Sequence, residues 1–255
     1  MTANFWRDRR VFVTGHTGFK GSWLCLMLHS LGARVIGYSL PPPTNPSLYA
    51  AARIGELVES TPGDVRDLAS LTKAMFAAAP EVVLHLAAQS IVLHSYDDPV
   101  ETYSTNVIGT VHTLEAVRQL QRRCVVVNVT TDKCYENQGW VWGYRETDRL
   151  GGKDPYSSSK SCSELVGRSY RDSFFPLARF AEHGVAVASA RAGNVIGGGD
   201  WTPKQLVPEV IAAFLHERPV VLRHPSAIRP WQHVLDCLAG YLPSHRRVCQ
   251  PRVHC

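Results

Sequence analysis

Tyr156 and Lys160, four residues apart in the segment DPYSSSK, have the types and spacing of a proton-transfer pair. Positions i and i+4 share one helix face, and Asp154 followed by Pro155 reads as a helix start. A nearby ammonium favours phenolate and would bring a poor base into a useful range near neutral pH. The same lysine can donate to the ribose of a nicotinamide cofactor. A second polar group closes another segment. VVVNVTTDKCYENQ, Val125 to Gln138, opens as a buried strand and then sets Thr130, Thr131, Asp132 and Lys133 side by side, with no glycine or proline to relax the chain. A hydroxyl, a carboxylate and an amine at a strand end can do acid–base chemistry, although adjacent Asp132 and Lys133 would also suit a solvated turn.

A third constellation precedes both. TGHTGFKG places Gly15, Gly18 and Gly21 between a short strand and a long helix. The spacing GxxGxxG differs from GxGxxG, but the physics is shared: a tight turn lets a pyrophosphate approach the backbone against a helix N-terminus. Dinucleotide binding is the expectation. The acidic residue expected at the end of the second strand is missing, because that region reads Gly37-Tyr38-Ser39-Leu40 and then prolines. These residues alone leave NAD and NADP open. Asp64, in GDVRD, could contact an adenine amino group or could equally be a cap or turn former. His85 to Gln89, HLAAQ, ends the fourth strand with small residues that would let a cofactor lie across the strand ends.

The elements that must position these groups alternate regularly. Arg10–Thr14, Ala33–Ser39, Val82–Ala87, Cys124–Thr131 and Val185–Ala190 read as strands. Phe19–Leu31, Leu68–Ala79, Pro99–Gln121 and Pro155–Arg171 read as helices. Alternation of this kind implies right-handed crossovers and an α/β, Rossmann-like, doubly wound parallel sheet. Residues 1–190 form that dinucleotide-binding domain. Residues 191–255 read as an incomplete, smaller substrate-binding region, with Gly193–Gly199 as loop, Gln205–Glu217 as helix and Val220–Arg223 as a short strand. From about residue 242 the chain loses periodicity.

Composition excludes several classes. The 255 residues are enough to bury a sizeable core, and no apolar run is long enough for a membrane span. Seven scattered cysteines without a CxxC pattern argue for reduced thiols, against zinc, and for a cytoplasmic protein. The net charge of +5 owes three arginines to the last fifteen residues, and no basic stripe with interleaved aromatics suggests nucleic acid.

Taken together, TGHTGFKGSWL, HLAAQ, SYDDPVETYSTNVIGT, TTDKCYEN, WVWGYRE, DPYSSSK, RAGNVIGGGDW and AIRPWQHV resemble the extended short-chain dehydrogenases/reductases, and within them the sugar-nucleotide 4,6-dehydratases. The likeness runs from Arg10 to about Tyr241. It implies bound NAD, a sugar-nucleotide substrate with CDP-glucose foremost, and a role in deoxysugar and lipopolysaccharide assembly. It also implies a homodimer through helices 99–121 and 155–171. In the implied reaction Tyr156 removes the sugar 4-hydroxyl proton while the C4 hydride passes to NAD. The ketone acidifies the C5 hydrogen, a base removes it, the C6 hydroxyl leaves as water, and the hydride returns to C6.

Carried onto matching positions, the resemblance puts Gly15, Thr17, Gly18, Phe19 and Gly21 at the cofactor phosphates. It adds Asp64, Val65, Leu86, Ala87, Ala88 and Asn106 on the cofactor side, with Tyr156 and Lys160 serving both cofactor and catalysis. Thr131 would hydrogen-bond the sugar 4-oxygen. Asp132 would be the acid for the departing hydroxyl, which requires a raised pKa through partial burial. Lys133 stands where many related dehydratases carry Glu and the CDP-glucose branch carries Lys; neutral, it could act as the C5 base, and charged, it could stabilise an enolate. Gln89, Asn194 and Arg229 fall on the substrate side, the last with a guanidinium suited to a diphosphate. Trp140, Trp142 and Trp201 suit either a pocket wall or the core.

Two departures matter. Leu93 falls where relatives usually have Arg, and the tail PSHRRVCQPRVHC drops the resemblance abruptly, which suggests a truncation or a shifted reading frame. The competing expectations are an NAD-dependent sugar-nucleotide epimerase or reductase on the same scaffold, and a cofactor-binding remnant without turnover. Asp132 argues against the epimerase, since epimerisation needs no acid for a leaving hydroxyl.

Overall fold

Runs that are apolar on both sides, such as VVLH and CVVVNV, are what a parallel strand covered on both faces requires. In the computed structural model, which describes residues 3–242, they lie inside a six-stranded parallel sheet. Its strands are β1 (Arg10–Thr14), β2 (Arg34–Ser39), β3 (Glu59–Pro62), β4 (Val82–His85), β5 (Cys124–Val129) and β6 (Val185–Ala190), in the order β3-β2-β1-β4-β5-β6. The order reverses between β1 and β4, the switch point at which open α/β sheets bind ligands. Register aligns the strand ends: Thr14 pairs with Tyr38 on one side and His85 on the other, His85 with Asn128, and Asn128 with Ser189. Everything that follows these residues therefore emerges along one edge.

Side chains alternate between the two faces of each strand. Val11, Val13, Leu84, Val127 and Val129 point into one core cluster, together with Leu24 and Leu28 of helix α1 (Phe19–Ser30). Phe12, Val83 and Val126 point into the other, against Leu71 and Met75 of α2 (Leu68–Ala78) and Leu114 and Val117 of a helix described next. That long helical segment runs as α3 (Pro99–Tyr103), a π-helical turn over Ser104–Ile108, and α4 (Gly109–Leu120). Helix α5 (Pro155–Ser173) follows β5, starting at Pro155 after Asp154, whose carboxylate accepts from Ser157 N at 2.9 Å and Ser157 Oγ at 2.6 Å. Beyond β6 a two-stranded parallel sheet joins β7 (Asn194–Ile196) to β8 (Trp231–His233), with α6 (Leu206–Leu215) between them. Helix α7 (Val234–Tyr241) then returns to the first core, where Val234, Leu238 and Tyr241 are buried with Leu24.

Four expectations need correction. The helix over 99–121 is not continuous α-helix. It carries a π turn centred on Asn106, whose side chain is drawn inward, and π turns cluster at functional sites. β4 ends at His85 rather than Ala87, because Leu86 N and Ala87 N turn away to Thr14 Oγ1, both at 3.2 Å. Residues 194–196 are strand, since Asn-Val-Ile finds a partner in Trp-Gln-His. Residues 220–223 are not strand; no strand pairs with them, and Val221 and Leu222 are exposed. The aperiodic tail lies outside the described residues.

Candidate active site

The glycine turn is built by close approach. Gly15 has φ +75°, and a Cβ there would stand 2.7 Å from Ala87 N, so the turn after β1 lies against the turn after β4. A Cβ at Gly21 would stand 2.1 Å from Gly15 O, which fixes the helix start onto the loop. Gly18, the N-cap of α1, gives its helix no side-chain cap, and an added Cβ would meet only Gly15 O, at 3.5 Å. The first turn of α1 thus faces a cradle free of side-chain competition, which suits the diphosphate of a dinucleotide. Thr17 ties this loop to the end of β2 by hydrogen bonds at 2.9 Å to Ser39 Oγ and Leu40 O. Phe19 lies beside Gly197 and Val234.

The other cofactor-side residues surround that cradle in different ways. Asp64 is held by Arg66, with Nη2 to Oδ2 at 2.6 Å and Nε to Oδ2 at 2.8 Å, and this pairing keeps its carboxyl below the usual range. Val65 is buried and touches the helix at Gly109. Leu86, Ala87 and Ala88 line the half-buried strand exit. Asn106 is 1% exposed and grips Gln89: its Oδ1 accepts from Gln89 N and its Nδ2 donates to Gln89 O, both at 2.9 Å. The same Nδ2 donates to Ser159 Oγ at 2.9 Å, so both amide hydrogens are engaged within the protein. Gln89 in turn donates to Thr102 Oγ1 at 2.8 Å and accepts from Ile91 N at 2.6 Å.

The chemistry-bearing groups converge from β5 and α5. Tyr156 and Lys160 are both buried on one face of α5, and Lys160 Nζ donates to Val129 O at 3.3 Å. Burial pushes the Tyr156 phenol up to about 12, opposed by the neighbouring Thr131 hydroxyl. Lys160 is pulled down to about 8, chiefly by burial and then by the charge of Lys20. The expected lowering of Tyr156 by Lys160 is therefore not what the structure produces. Desolvation of the phenolate is the largest effect on it. Thr131 Oγ1 also donates to Asp132 Oδ1 at 3.1 Å, and Lys133 Nζ stands 4.0 Å from that oxygen. The side chains of Asp132 and Lys133 are 36% and 37% exposed, so this end of the group opens to solvent.

The candidate substrate residues of the C-terminal part approach the same end. A Cβ on Gly193 would stand 3.4 Å from Asp132 Oδ2 and 2.8 Å from Pro230 Cγ, which places the β7–β8 sheet beside the acid. Asn194 pairs with Trp231 in that sheet and its Oδ1 is buried without a partner. Arg229 is exposed, one Nη1 hydrogen bond reaching Ile228 O. Trp140, Trp142 and Trp201 are not core residues. They are 39%, 61% and 41% exposed, and Trp140 stacks on Trp142 with centroids 5.3 Å apart.

Three features escaped the sequence reading. Lys20, in the first turn of α1, is held below its ordinary range mainly by burial, with Cys237 and Asp132 opposing and Lys133 reinforcing the effect. It brings a third lysine to the Lys160/Lys133 neighbourhood, and only its place inside the glycine turn could have pointed to it. Glu164 and Arg191 form a buried ion pair beside the strand end, Nε to Oε1 at 2.8 Å. The spacing of Tyr156, Lys160 and Glu164 on one helical stripe was the available signal. His85 joins Thr14 and Thr110 under the site, and burial lowers it to about 3.

A Rossmann-like parallel sheet, a glycine cradle at its switch point, and a Tyr/Lys pair beside a hydroxyl-ended strand define a dinucleotide-dependent short-chain dehydrogenase/reductase. Residues 12–246 match the family described as GDP-mannose 4,6 dehydratase, and the chain belongs to it. It is 54% identical over 245 residues to CDP-glucose 4,6-dehydratase of Salmonella typhimurium, covering 96% of this chain and 68% of that one. It is 30% identical to dTDP-glucose 4,6-dehydratase of Xanthomonas campestris, covering 88% of this chain and 64% of the relative. Among solved structures, dTDP-glucose 4,6-dehydratase of Streptomyces venezuelae with NAD bound superposes with a TM-score of 0.78 at 25% identity, covering 91% of this chain and 70% of that one.

Proposed function

We propose that the chain is an NAD-dependent CDP-glucose 4,6-dehydratase, a hydro-lyase. The observation that carries this reading is the convergence of Thr131 and Asp132, themselves hydrogen-bonded at 3.1 Å, on the buried Tyr156 phenol at the strand end facing the glycine cradle. The 54% identity to the Salmonella enzyme supports CDP-glucose as the substrate. Bound NAD would accept the C4 hydride and return it at C6, so the sugar undergoes no net redox change.

The chain's own residues divide the remaining work. Tyr156 Oη takes the proton of the 4-hydroxyl, helped by the Thr131 hydroxyl, while Lys160, still mostly charged near neutral pH, steadies negative charge and orients the cofactor ribose. The C4 ketone makes the C5 proton labile. Lys133 is the candidate to receive that proton, and Asp132 donates a proton to the C6 hydroxyl, which departs as water. Return of a proton to C5 completes the 4-keto-6-deoxy sugar. Gln89, Asn194 and Arg229 are assigned to the sugar and diphosphate, consistent with the β7–β8 sheet lying against Asp132.

The assignment is tested by incubating the protein with NAD and CDP-, dTDP-, GDP- and UDP-hexoses. Conversion of CDP-glucose alone supports it, and cofactor binding without product sinks it. Asp132→Asn separates the steps: product formation should fall by about 10²–10⁴-fold while oxidation at C4 stays within about threefold. Equal loss of both would remove Asp132 from the acid role.

Two further parts of the reading concern assembly and place. Helices α3 and α5 border an apolar groove lined by Pro99, Val100, Tyr103, Val107, Ile108 and Cys162, with Leu165 exposed nearby. A second copy of the chain, pairing these helices with its own, is the proposed occupant. Among the described residues no helix is long and apolar enough to cross a membrane, and a cytoplasmic place in deoxysugar synthesis for lipopolysaccharide accords with the substrate.

A further inference from the structure

We propose that the Glu164–Arg191 pair is a positioning clamp that holds the acid–base turn, residues 131–133, in register with the helix face carrying Tyr156 and Lys160. This rests on the dehydratase reading for its catalytic consequence, though not for its structural one. The stripe Tyr156, Lys160, Glu164 repeats every four residues along α5, so Glu164 leaves the same face one turn beyond the lysine. Its carboxylate is 7% exposed. Oε1 accepts from Thr130 Oγ1 at 2.5 Å and from Arg191 Nε at 2.8 Å, and Oε2 accepts from Arg191 Nη2 at 3.2 Å. Arg191 stands immediately after β6. Its Nη1 donates to Tyr135 Oη at 2.7 Å and Glu146 O at 3.2 Å, and its guanidinium lies 4.7 Å from the Tyr135 ring centroid.

The arrangement grasps the turn at both ends. Thr130 is the residue before Thr131, and Tyr135 is the residue after Cys134; one ion pair holds both. Backbone bonds Thr130 N to Ala190 O at 2.8 Å and Asp132 N to Ala192 O at 3.0 Å tie the turn to the residues on either side of Arg191. Neither Glu164 nor Arg191 is assigned to substrate or cofactor. A buried fork of this kind contributes little net stability over apolar side chains of equal volume, so its informative property is geometric. Its position is also asymmetric. Tyr156 and Lys160, the base and the cofactor-orienting amine of oxidation at C4, ride on α5 itself, with only the supporting Thr131 hydroxyl on the turn. Asp132 and Lys133, the two groups of the elimination, both ride on the clamped turn. Loosening the clamp should therefore disable elimination more than oxidation.

Single removal of Glu164 or Arg191 strands a buried charge and risks unfolding. The decisive variant is Glu164→Met with Arg191→Met, accompanied by Tyr135→Phe, which deletes one hydrogen bond. Hydrogen–deuterium exchange read by mass spectrometry should rise at least about tenfold over residues 130–136 in the double variant, with residues 158–170 within about twofold of wild type. In single turnovers with CDP-glucose, nicotinamide reduction should stay within about threefold while the 4-keto-6-deoxy product forms at least about 30-fold more slowly. Tyr135→Phe should move both readouts in the same direction by less, and it decides the matter if the double variant does not fold. Unchanged exchange over 130–136, or equal loss of both rates, overturns the clamp. A wild-type protein that leaves CDP-glucose untouched overturns the dehydratase reading alone, because the exchange comparison still tests the clamp.

Discussion

Lys160→Met should make this protein more stable at neutral pH, although it removes a residue assigned to catalysis. Lys160 is 6% exposed, and burial brings it from an ordinary 10.5 down to about 8. A difference of one in pKa corresponds to about 1.4 kcal/mol, so holding the ammonium in the fold costs about 3 kcal/mol near pH 7. Methionine keeps the volume, loses the hydrogen bond to Val129 O worth about 1 kcal/mol, and leaves a net gain of about 2 kcal/mol. For a base whose folded value lies below its unfolded one, the unfolded chain holds more protons between the two values, so wild-type stability rises with pH from about 8 to about 10.5. The gap between variant and wild type should therefore shrink to under about 1 kcal/mol by about pH 10. Urea unfolding followed by circular dichroism at both pH values, with cofactor stripped, measures it. Buried Cys25 and Cys124, each pushed up to about 12, affect both proteins alike and cancel in the difference. A gap that does not change with pH, or a variant less stable than wild type near pH 7, refutes the argument that Lys160 is held against its own desolvation.

Gly21→Ala must push apart two backbone segments, since the new Cβ would stand 2.1 Å from Gly15 O; NAD affinity by fluorescence titration should drop at least about tenfold, and unchanged affinity would show that the cradle lies elsewhere. Acid should destabilise the fold early. Burial lowers His16 to about 4 and His85 to about 3, so the unfolded chain takes up protons below about 6.5 while the native state does not, and the urea midpoint should fall steadily from there; a flat midpoint down to about pH 5 contradicts this. If the proposed dimer forms through the apolar groove, Val100→Glu, at a side chain 77% exposed in it, should shift sedimentation from dimer to monomer without loss of helical signal. A dimer that survives the charge would place the interface on another face.

Five of the six parallel strands were legible, β4 and β5 most plainly, since they are apolar on both faces and are followed by polar or small residues, whereas β3, Glu-Ser-Thr-Pro and exposed throughout, gives no such signal and was not read. The glycine turn was legible for a similar reason, as three small residues between strand and helix have few other uses. What could not be read were choices made by partners far away in the chain. Asn194–Ile196 is strand only because Trp231–His233 arrives beside it, and Val220–Arg223, with a comparable β-prone pattern, is not strand because nothing does. The π turn at Asn106 likewise depends on Gln89 and Ser159 drawing one amide inward from two directions.

The same distinction governs the site. Tyr156 and Lys160 announce themselves by local spacing, but spacing says nothing about the dielectric around them. Only the packed sheet shows that burial raises the phenol and lowers the amine. Glu164 and Arg191 are separated by 27 residues, and each alone reads as an ordinary surface charge. Their meeting beneath Thr130 turns two solitary charges into a fixed fork, and that fork connects the three strand- and helix-borne parts of the reaction: the turn after β5, the face of α5 and the exit of β6. A local motif can thus supply the reacting groups, while the precision with which they face one another is set by long-range buried polar contacts. Substitutions that spare every motif residue should for that reason still separate the two halves of the chemistry, provided they fall on the contacts between those three elements.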